Sequence, residues 1–272
     1  MELVFWGVRG TVPVSGRPFL KFGGHTPCAT LMTDSEETLI IDAGTGIRGL
    51  GGMLKAEDSR KTLRISLLLT HFHLDHVLGL PYFEPLFSPD AEIVFYSFPE
   101  PEATEGNLRR LFSGGLFPVE LDQTRSKKIF KKVEADGFSV GGVKISACPL
   151  NHPQGSVAYK LEIEGRSVVF ATDTEHPETG IDERLAAFAH GASCLIYDAT
   201  FTPEEYEAKY RGWGHSTWQA GTKIAKRAGV RKLLLSHFNP DHSDQMIRDI
   251  LRLARHEFLR SDCAREGMRF RC

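Results

Sequence analysis

Residues 70–76 read THFHLDH and follow the apolar run ISLLL. His71 and His73 are two apart, so in an extended segment their side chains point the same way. Two imidazoles on one side of a strand end can bind one metal ion. Asp75 and His76 come after a reversal of direction, where a helix starts, and can face a second ion beside the first. The motif is therefore suited to a dinuclear centre with ions ~3.5–4 Å apart. A chance cluster of core or surface histidines is the competing reading, and the density of the motif argues against it.

A dinuclear centre needs further ligands, and polar residues that end other apolar runs are the candidates. LNHP places His152 after VKISACPL, FATDTEH places Asp173 after SVVF, and LLLSHF places His237 after KLLL. Loops at strand ends gather into sites. One such residue would be weak evidence; three that repeat the arrangement of His71 are much stronger.

THFHLDH, LNHP, FATDTEH and LLSHF, in this order and spacing, resemble the metallo-β-lactamase fold superfamily, over nearly the whole chain. The resemblance implies a four-layer αβ/βα sandwich of two mixed β-sheets, with two divalent metals where the sheets meet. It implies His71, His73 and His152 at the first metal site and Asp75, His76 and His237 at the second. Asp173 matches the bridging carboxylate; β-lactamases often carry cysteine there, so ATDTE argues against a lactamase. YDAT (197–200) is similar to the His-Glu-Ala-Thr element of the tRNA 3′-processing endonuclease RNase Z, with Asp198 in place of its glutamate. GHST (214–217) is similar to the Gly-His-Ser-Thr element of the same enzymes. Both also occur, with variations, in the phosphonate-pathway cyclic phosphodiesterase. FWGVRGTVPVSG, GGHTPC and IDAGTG look like bacterial phosphodiesterase-like members.

Elementary chemistry points the same way. Two divalent ions can bridge a phosphoryl oxygen and hold a hydroxide between them. In-line attack on phosphorus then expels an alkoxide that needs a proton or a metal. His215 could give that proton, while Asp198 fixes its tautomer and stabilises the imidazolium. With Asp75 these make the candidate catalytic set. The alternatives are that Ser216 or Thr217 simply caps a helix, and that Asp198 supports a metal-bound histidine. Zinc is the default for a histidine-rich site, with Mn²⁺ or Fe²⁺ compatible with these N/O ligands.

Other residues are less telling. Asp42 in IDAGTG is expected to order its loop and the ligand loop beside it rather than bind metal. The glycines at 44, 46, 49, 51 and 52 make a flexible-looking stretch, without the context of a nucleotide-cradling loop. His25 reads as structural. His176 and His242 lie close to ligands and are candidates to line the pocket. Arg9 is either an anion contact or a loop ion pair.

The elements that must hold these residues are short apolar runs: 3–8, 28–33, 38–42, 63–70, 92–96, 143–147, 157–163, 167–172, 193–198 and 232–237. EIEGRS reads as a hairpin with Gly165 in the tight turn. Helical patterns fall near 103–113, 181–190, 216–229 and 244–259. Strands dominate the first half and mix with helices in the second. This predicts an α/β (α+β) chain of two mixed sheets packed face to face with helices outside. The chain reads as one domain, 1–272, in which the less regular 99–138 could be an insertion over the core. Its basic run, Arg125, Lys127, Lys128, Lys131 and Lys132, reads as a solvated face.

Composition limits the rest. The formal net charge of −2 over 272 residues gives no global field for nucleic acid. No apolar stretch approaches the ~18 residues of a membrane helix, and the start of the chain lacks signal-peptide features. The odd cysteine count of 5, without CxxC, fits reduced thiols in a cytoplasm. The expected function is a dinuclear metal-dependent phosphodiesterase acting on a small or cyclic phosphodiester. The alternatives are a tRNA 3′-endonuclease, a lactonase or thioesterase, and a non-catalytic metal-dependent sensor. Nucleic acid is the less favoured partner, because no Gly/Pro-rich arm is recognisable. A homodimer is compatible with the chain.

Overall fold

A computed structural model describes residues 2–33, 35–57, 62–98, 100–113, 115–134 and 136–271, with the side chains of 55–57 left aside. The first sheet takes β1 (Glu2–Gly7), β2 (Cys28–Met32), β3 (Glu37–Ile41), β4 (Leu63–Leu68), β5 (Ala91–Ser97) and β6 (Lys127–Lys132) in chain order. The second takes β7 (Phe138–Val140), β8 (Val143–Leu150), β9 (Ser156–Ile163), β10 (Arg166–Ala171), β11 (Cys194–Asp198), β12 (Leu233–Ser236) and β13 (Ser261–Cys263). The chain then returns as β14 (Arg269–Arg271), antiparallel to β1, to complete the first sheet.

Both sheets follow one plan. Each begins antiparallel, β1–β2–β3 and β7–β8–β9–β10, and ends parallel, β3–β4–β5–β6 and β10–β11–β12–β13. The β9–β10 hairpin turns through Glu164 and Gly165, both at positive φ (52° and 73°), as the EIEGRS reading requires.

Alternation along the strands assigns the layers. Leu39, Ile41, Leu68, Val94 and Tyr96 face the core shared with the second sheet. Ile40, Ile65, Leu67, Ile93 and Phe95 face outward, where α1 (Ile47–Glu57), the single turn α2 (Leu74–Val77) and α3 (Pro101–Leu111) cover them. On the second half the helical layer is α4 (Glu183–Phe188), α5 (Pro203–Glu205), α6 (Trp218–Ala228) and α7 (Asp244–Glu257). A π-helical turn, Tyr206–Tyr210, continues α5. The result is the expected αβ/βα sandwich.

Several elements were not foreseen. The glycine run that read as flexible lies mostly in α1. The two glycines just before the helix serve close packing: a Cβ on Gly46 would sit 2.5 Å from the Trp6 backbone, and one on Gly44 would sit 2.3 Å from the Asp75 carbonyl oxygen. The segment 99–138 supplies α3, close to the helix expected near 103–113 and burying Thr104 and Leu108, and the unforeseen β6, an edge strand in register with β5. Lys127 pairs with Glu92, Lys132 with Glu100, and Lys128 donates to the carbonyls of Thr124 and Ser126. Cys28, Cys148, Cys194 and Cys263 are buried thiols; Cys272 lies outside the described residues. No helix among the described residues is long and apolar enough to cross a membrane.

Candidate metal centre

Most candidate ligands gather beyond the carboxyl ends of the parallel strands β4, β10 and β12, where open α/β sheets place their sites, and one follows the antiparallel β8. His71 and His73 leave β4; Asp75 and His76 sit on α2. His152 follows β8, Asp173 follows β10 and His237 follows β12. Both sheets therefore contribute. Asp42, Asp173 and His237 all have left-handed backbones (φ 58°, 59° and 59°), an uncommon conformation for non-glycine residues that turns each side chain sharply off its strand.

The rings are held from behind, and the grip selects one nitrogen each. His76 Nδ1 donates to Asp42 Oδ2 at 2.8 Å, and His71 Nδ1 lies 3.1 Å from Thr70 Oγ1, itself 3.0 Å from both Asp42 oxygens. His152 Nδ1 donates to the Gly214 carbonyl at 2.7 Å, and His237 Nδ1 to Thr200 Oγ1 at 3.0 Å. Each of these four turns Nε2 inward. His73 is reversed: its Nε2 donates to Gln154 Oε1 at 3.0 Å, and its Nδ1 meets His152 Nε2 at 3.0 Å. Fixing a ring through its outer nitrogen is how proteins orient metal-binding histidines.

The inward atoms form groups that could hold an ion: His71, His73 and His152; and Asp75, His76 and His237. Asp173 lies between them. Its Oδ1 is 3.9 Å from His71 Nε2 and 3.2 Å from His237 Nε2, and its Oδ2 is 3.2 Å from His76 Nε2. His76 Nε2 and His237 Nε2 are 3.3 Å apart and lie 3.4 and 3.3 Å from Asp75 Oδ2. Ligands ~2.05 Å from one tetrahedral ion are ~3.3 Å from each other, so these spacings fit a divalent ion. The buried His71 Nε2 makes no hydrogen bond to any described residue, as expected of an atom kept for a metal. The Thr11 N–H donates to Asp75 Oδ2 at 2.8 Å and fixes the carboxylate.

Charge is concentrated here. Burial disfavours a protonated His237, yet Asp173 and the carboxylates around it push its pKa up to about 9. His76 is likewise raised well above the ordinary range, with burial outweighed by Asp173, Asp75 and Asp42. Burial and the neighbouring His76 hold His71 well below it. Asp75 and Asp173 are held far below the usual carboxylate range, because the surrounding imidazoles outweigh the penalty of burial.

Beside the cluster, His215 Nδ1 donates to Asp198 Oδ2 at 3.1 Å. Asp198 is fully buried and accepts three more bonds, from the N–H groups of Asp173 (2.9 Å), Thr200 (3.0 Å) and Ser216 (3.1 Å). It is 3.8 Å from His237 Nδ1, which bonds Thr200 instead. The two readings of GHST are compatible: Thr217 caps α6 through Ala220 N–H, while His215 faces Asp198.

The remaining candidates lie elsewhere. Arg9 is fully buried, donating to the carbonyls of Gly23, Asn239 and His242 and lying 3.9 Å from Asp244, so it ties loops together as the ion-pair reading had it. His242 is buried against Glu205. His176 bonds Ser216 Oγ and borders a separate cavity of about 150 Å³. His25 is exposed and contacts Thr45. The supporting residues Thr70, Gln154 and Thr200 had no signal in spacing. Glu175 was also missed: it accepts from the N–H groups of Gly212 and Gly214 and from the Tyr206 hydroxyl.

The Ribonuclease Z of Synechococcus sp. (strain CC9311) is 25% identical over 302 residues, covering 89% of each chain. That of Brevibacillus brevis is 38% identical over 81 residues, 30% of this chain and 24% of that protein. Among solved structures, the metallo-β-lactamase fold protein YhfI from Bacillus subtilis superposes with a TM-score of 0.74 at 18% identity, over 99% of both chains. A diphosphatase from the PhnP family gives a TM-score of 0.71 at 18% identity, over 100% of this chain and 97% of that one. Residues 37–238 match the Beta-lactamase superfamily domain, and with the sheet order and strand-end His/Asp cluster in agreement, the chain belongs to that superfamily and has the metallo-β-lactamase fold.

Proposed function

We propose that the protein is a dinuclear metal-dependent phosphodiesterase acting on a small or cyclic phosphodiester. His71, His73 and His152 would hold one ion, Asp75, His76 and His237 the other, with Asp173 between them. Zinc suits this donor set, and manganese or iron is compatible with it. Bound ions would supply Lewis-acid polarisation of the phosphoryl group and a nucleophile at neutral pH.

The observation that carries the reading is the His215–Asp198 pair against the cluster. With Nδ1 committed to Asp198, Nε2 is left to carry a proton to the departing alkoxide. The buried carboxylate fixes the tautomer and the orientation of the ring. A lactonase or a bare metal sensor has less use for such a donor. The PhnP-family neighbour is named a diphosphatase, which agrees with hydrolysis at phosphorus. The test is turnover of bis(p-nitrophenyl) phosphate against p-nitrophenyl phosphate after loading with Zn²⁺ or Mn²⁺. Much faster hydrolysis of the monoester overturns the assignment.

The full-length likeness to a Ribonuclease Z supports a second reading, a tRNA 3′-processing endonuclease. Pre-tRNA assayed beside the small diesters separates the two. Efficient 3′ cleavage, weakened by neutralising Lys127, Lys128, Lys131 and Lys132 and steeply salt-dependent, would reverse the order.

A further inference from the structure

Trp213 is 57% exposed, on the loop that leads into His215. A large aromatic held in water beside a reactive group invites a function. The loop that carries it is braced. Gly212 and Gly214 flank it at positive φ (81° and 83°), and the Glu175 carboxylate accepts both of their N–H groups, at 2.6 and 2.8 Å. The Gly214 carbonyl accepts from the candidate ligand His152. Trp213 is thus fixed relative to the metal cluster by hydrogen bonds on both sides.

Its ring also continues a row of aromatics. Trp213 meets Tyr210 edge-on with centroids 5.1 Å apart; Tyr210 stacks on Phe201 at 4.2 Å and 3°; Phe201 lies 6.0 Å from the His215 ring. The row runs from the proton donor outward to solvent. Tyr210 closes the π-helical turn, an irregularity that is frequent at functional sites.

We infer that Trp213, backed by Tyr210 and Phe201, is a stacking platform for a planar aromatic ring carried on the leaving-group side of the substrate. The inference rests on the phosphodiesterase reading for the side of phosphorus it assigns, because the row starts at the residue that would protonate the leaving oxygen. Stacking tolerates any flat ring, whether a nucleobase or a simple aryl group.

Binding separates this inference from the catalytic reading. AMP, phenyl phosphate and ribose 5-phosphate share a phosphate and differ in the ring. Titrated by calorimetry into the metal-loaded protein, AMP or phenyl phosphate should bind on the order of 5- to 150-fold more tightly than ribose 5-phosphate. A larger gain for AMP identifies a nucleobase; a larger gain for phenyl phosphate identifies an aryl group. Trp213→Ala should erase the gap without weakening ribose 5-phosphate, and Trp213→Phe should keep most of it. Equal affinities for all three, no ring-dependent binding, or a gap unchanged in Trp213→Ala overturns the platform. A gap that Trp213→Ala erases, in a protein that hydrolyses no phosphodiester, upholds the platform and rejects the catalytic reading instead.

Discussion

Asp198→Asn changes one atom and should be among the most damaging substitutions in the chain. Asp198 accepts four hydrogen bonds, two on each oxygen: Asp173 N–H and His215 Nδ1 on Oδ2, Thr200 N–H and Ser216 N–H on Oδ1. Asparagine offers one acceptor oxygen and one NH₂ group, so either orientation sets a donor against two donors. Hydrogen bonds to a charged group contribute about 1.5–3 kcal/mol each, and losing two implies roughly 3–6 kcal/mol. Relief of the repulsion between Asp198 and Asp173 offsets part of this, which leaves about 3–5 kcal/mol, a large share of a typical folding free energy. His215→Ala removes only one of the four bonds, at a partly accessible ring, and should cost less. Urea unfolding of the chelator-treated proteins measures both without interference from metal. Asp198→Asn should have the much lower midpoint at a similar m-value. If it unfolds at or above the midpoint of His215→Ala, Asp198 is not the anchor described.

His215→Ala should lower turnover of alkyl-leaving diesters by roughly 10²–10⁴-fold, with a smaller loss for nitrophenolate and metal content unchanged; equal losses on both substrate classes would make the residue structural. Elemental analysis should find two metals per chain, with Asp173→Ala weakening both sites; no metal before or after reconstitution removes the dinuclear assignment. The carboxylates that raise His237 to about 9, and His76 above its usual range, favour the protonated rings in the metal-free protein, and a ring must be neutral to ligate. Loading should therefore release protons at pH 7 and fewer near pH 10, read from calorimetry in buffers of different ionisation enthalpy; release that does not change with pH would refute the coupling. Gly10→Ala would put a Cβ 2.4 Å from the His237 ring; it should weaken metal retention in a folded chain, and normal affinity would show that the ring can retreat.

The candidate ligands were legible because each interrupts an apolar run at the point where a strand must end. A histidine or aspartate there has no place in a core, so chemistry explains it better than packing does. The residues that orient those ligands were not legible. Thr70, Thr200 and Gln154 are ordinary loop residues until the fold sets them behind an imidazole. Asp42 was assigned to ordering its neighbours, and its contacts with Thr70 and His76 are of that kind. Strand β6 escaped because KKIFKK has an edge strand's pattern, with lysines where a central strand would carry valine. Strands β13 and β14 are three residues each, too short for a period to register. Helix α1 was masked by Gly49, Gly51 and Gly52, poor helix formers inside it, of which Gly51 lies against Phe83.

The return of β14 to the side of β1 has a consequence for biosynthesis. On a ribosome, β1 emerges before every other strand described, yet one of its neighbours is Arg269–Arg271. The metal cluster waits almost as long, because His76 and His237 are 161 positions apart. At roughly 5–20 residues per second, His71 to His76 stay without their partners for about 8–30 s. Throughout that interval the first half presents a strand edge and a cluster of imidazoles without their partners from the second half. Assembly of the full candidate site is therefore a late event, complete only once both halves of the sandwich are made.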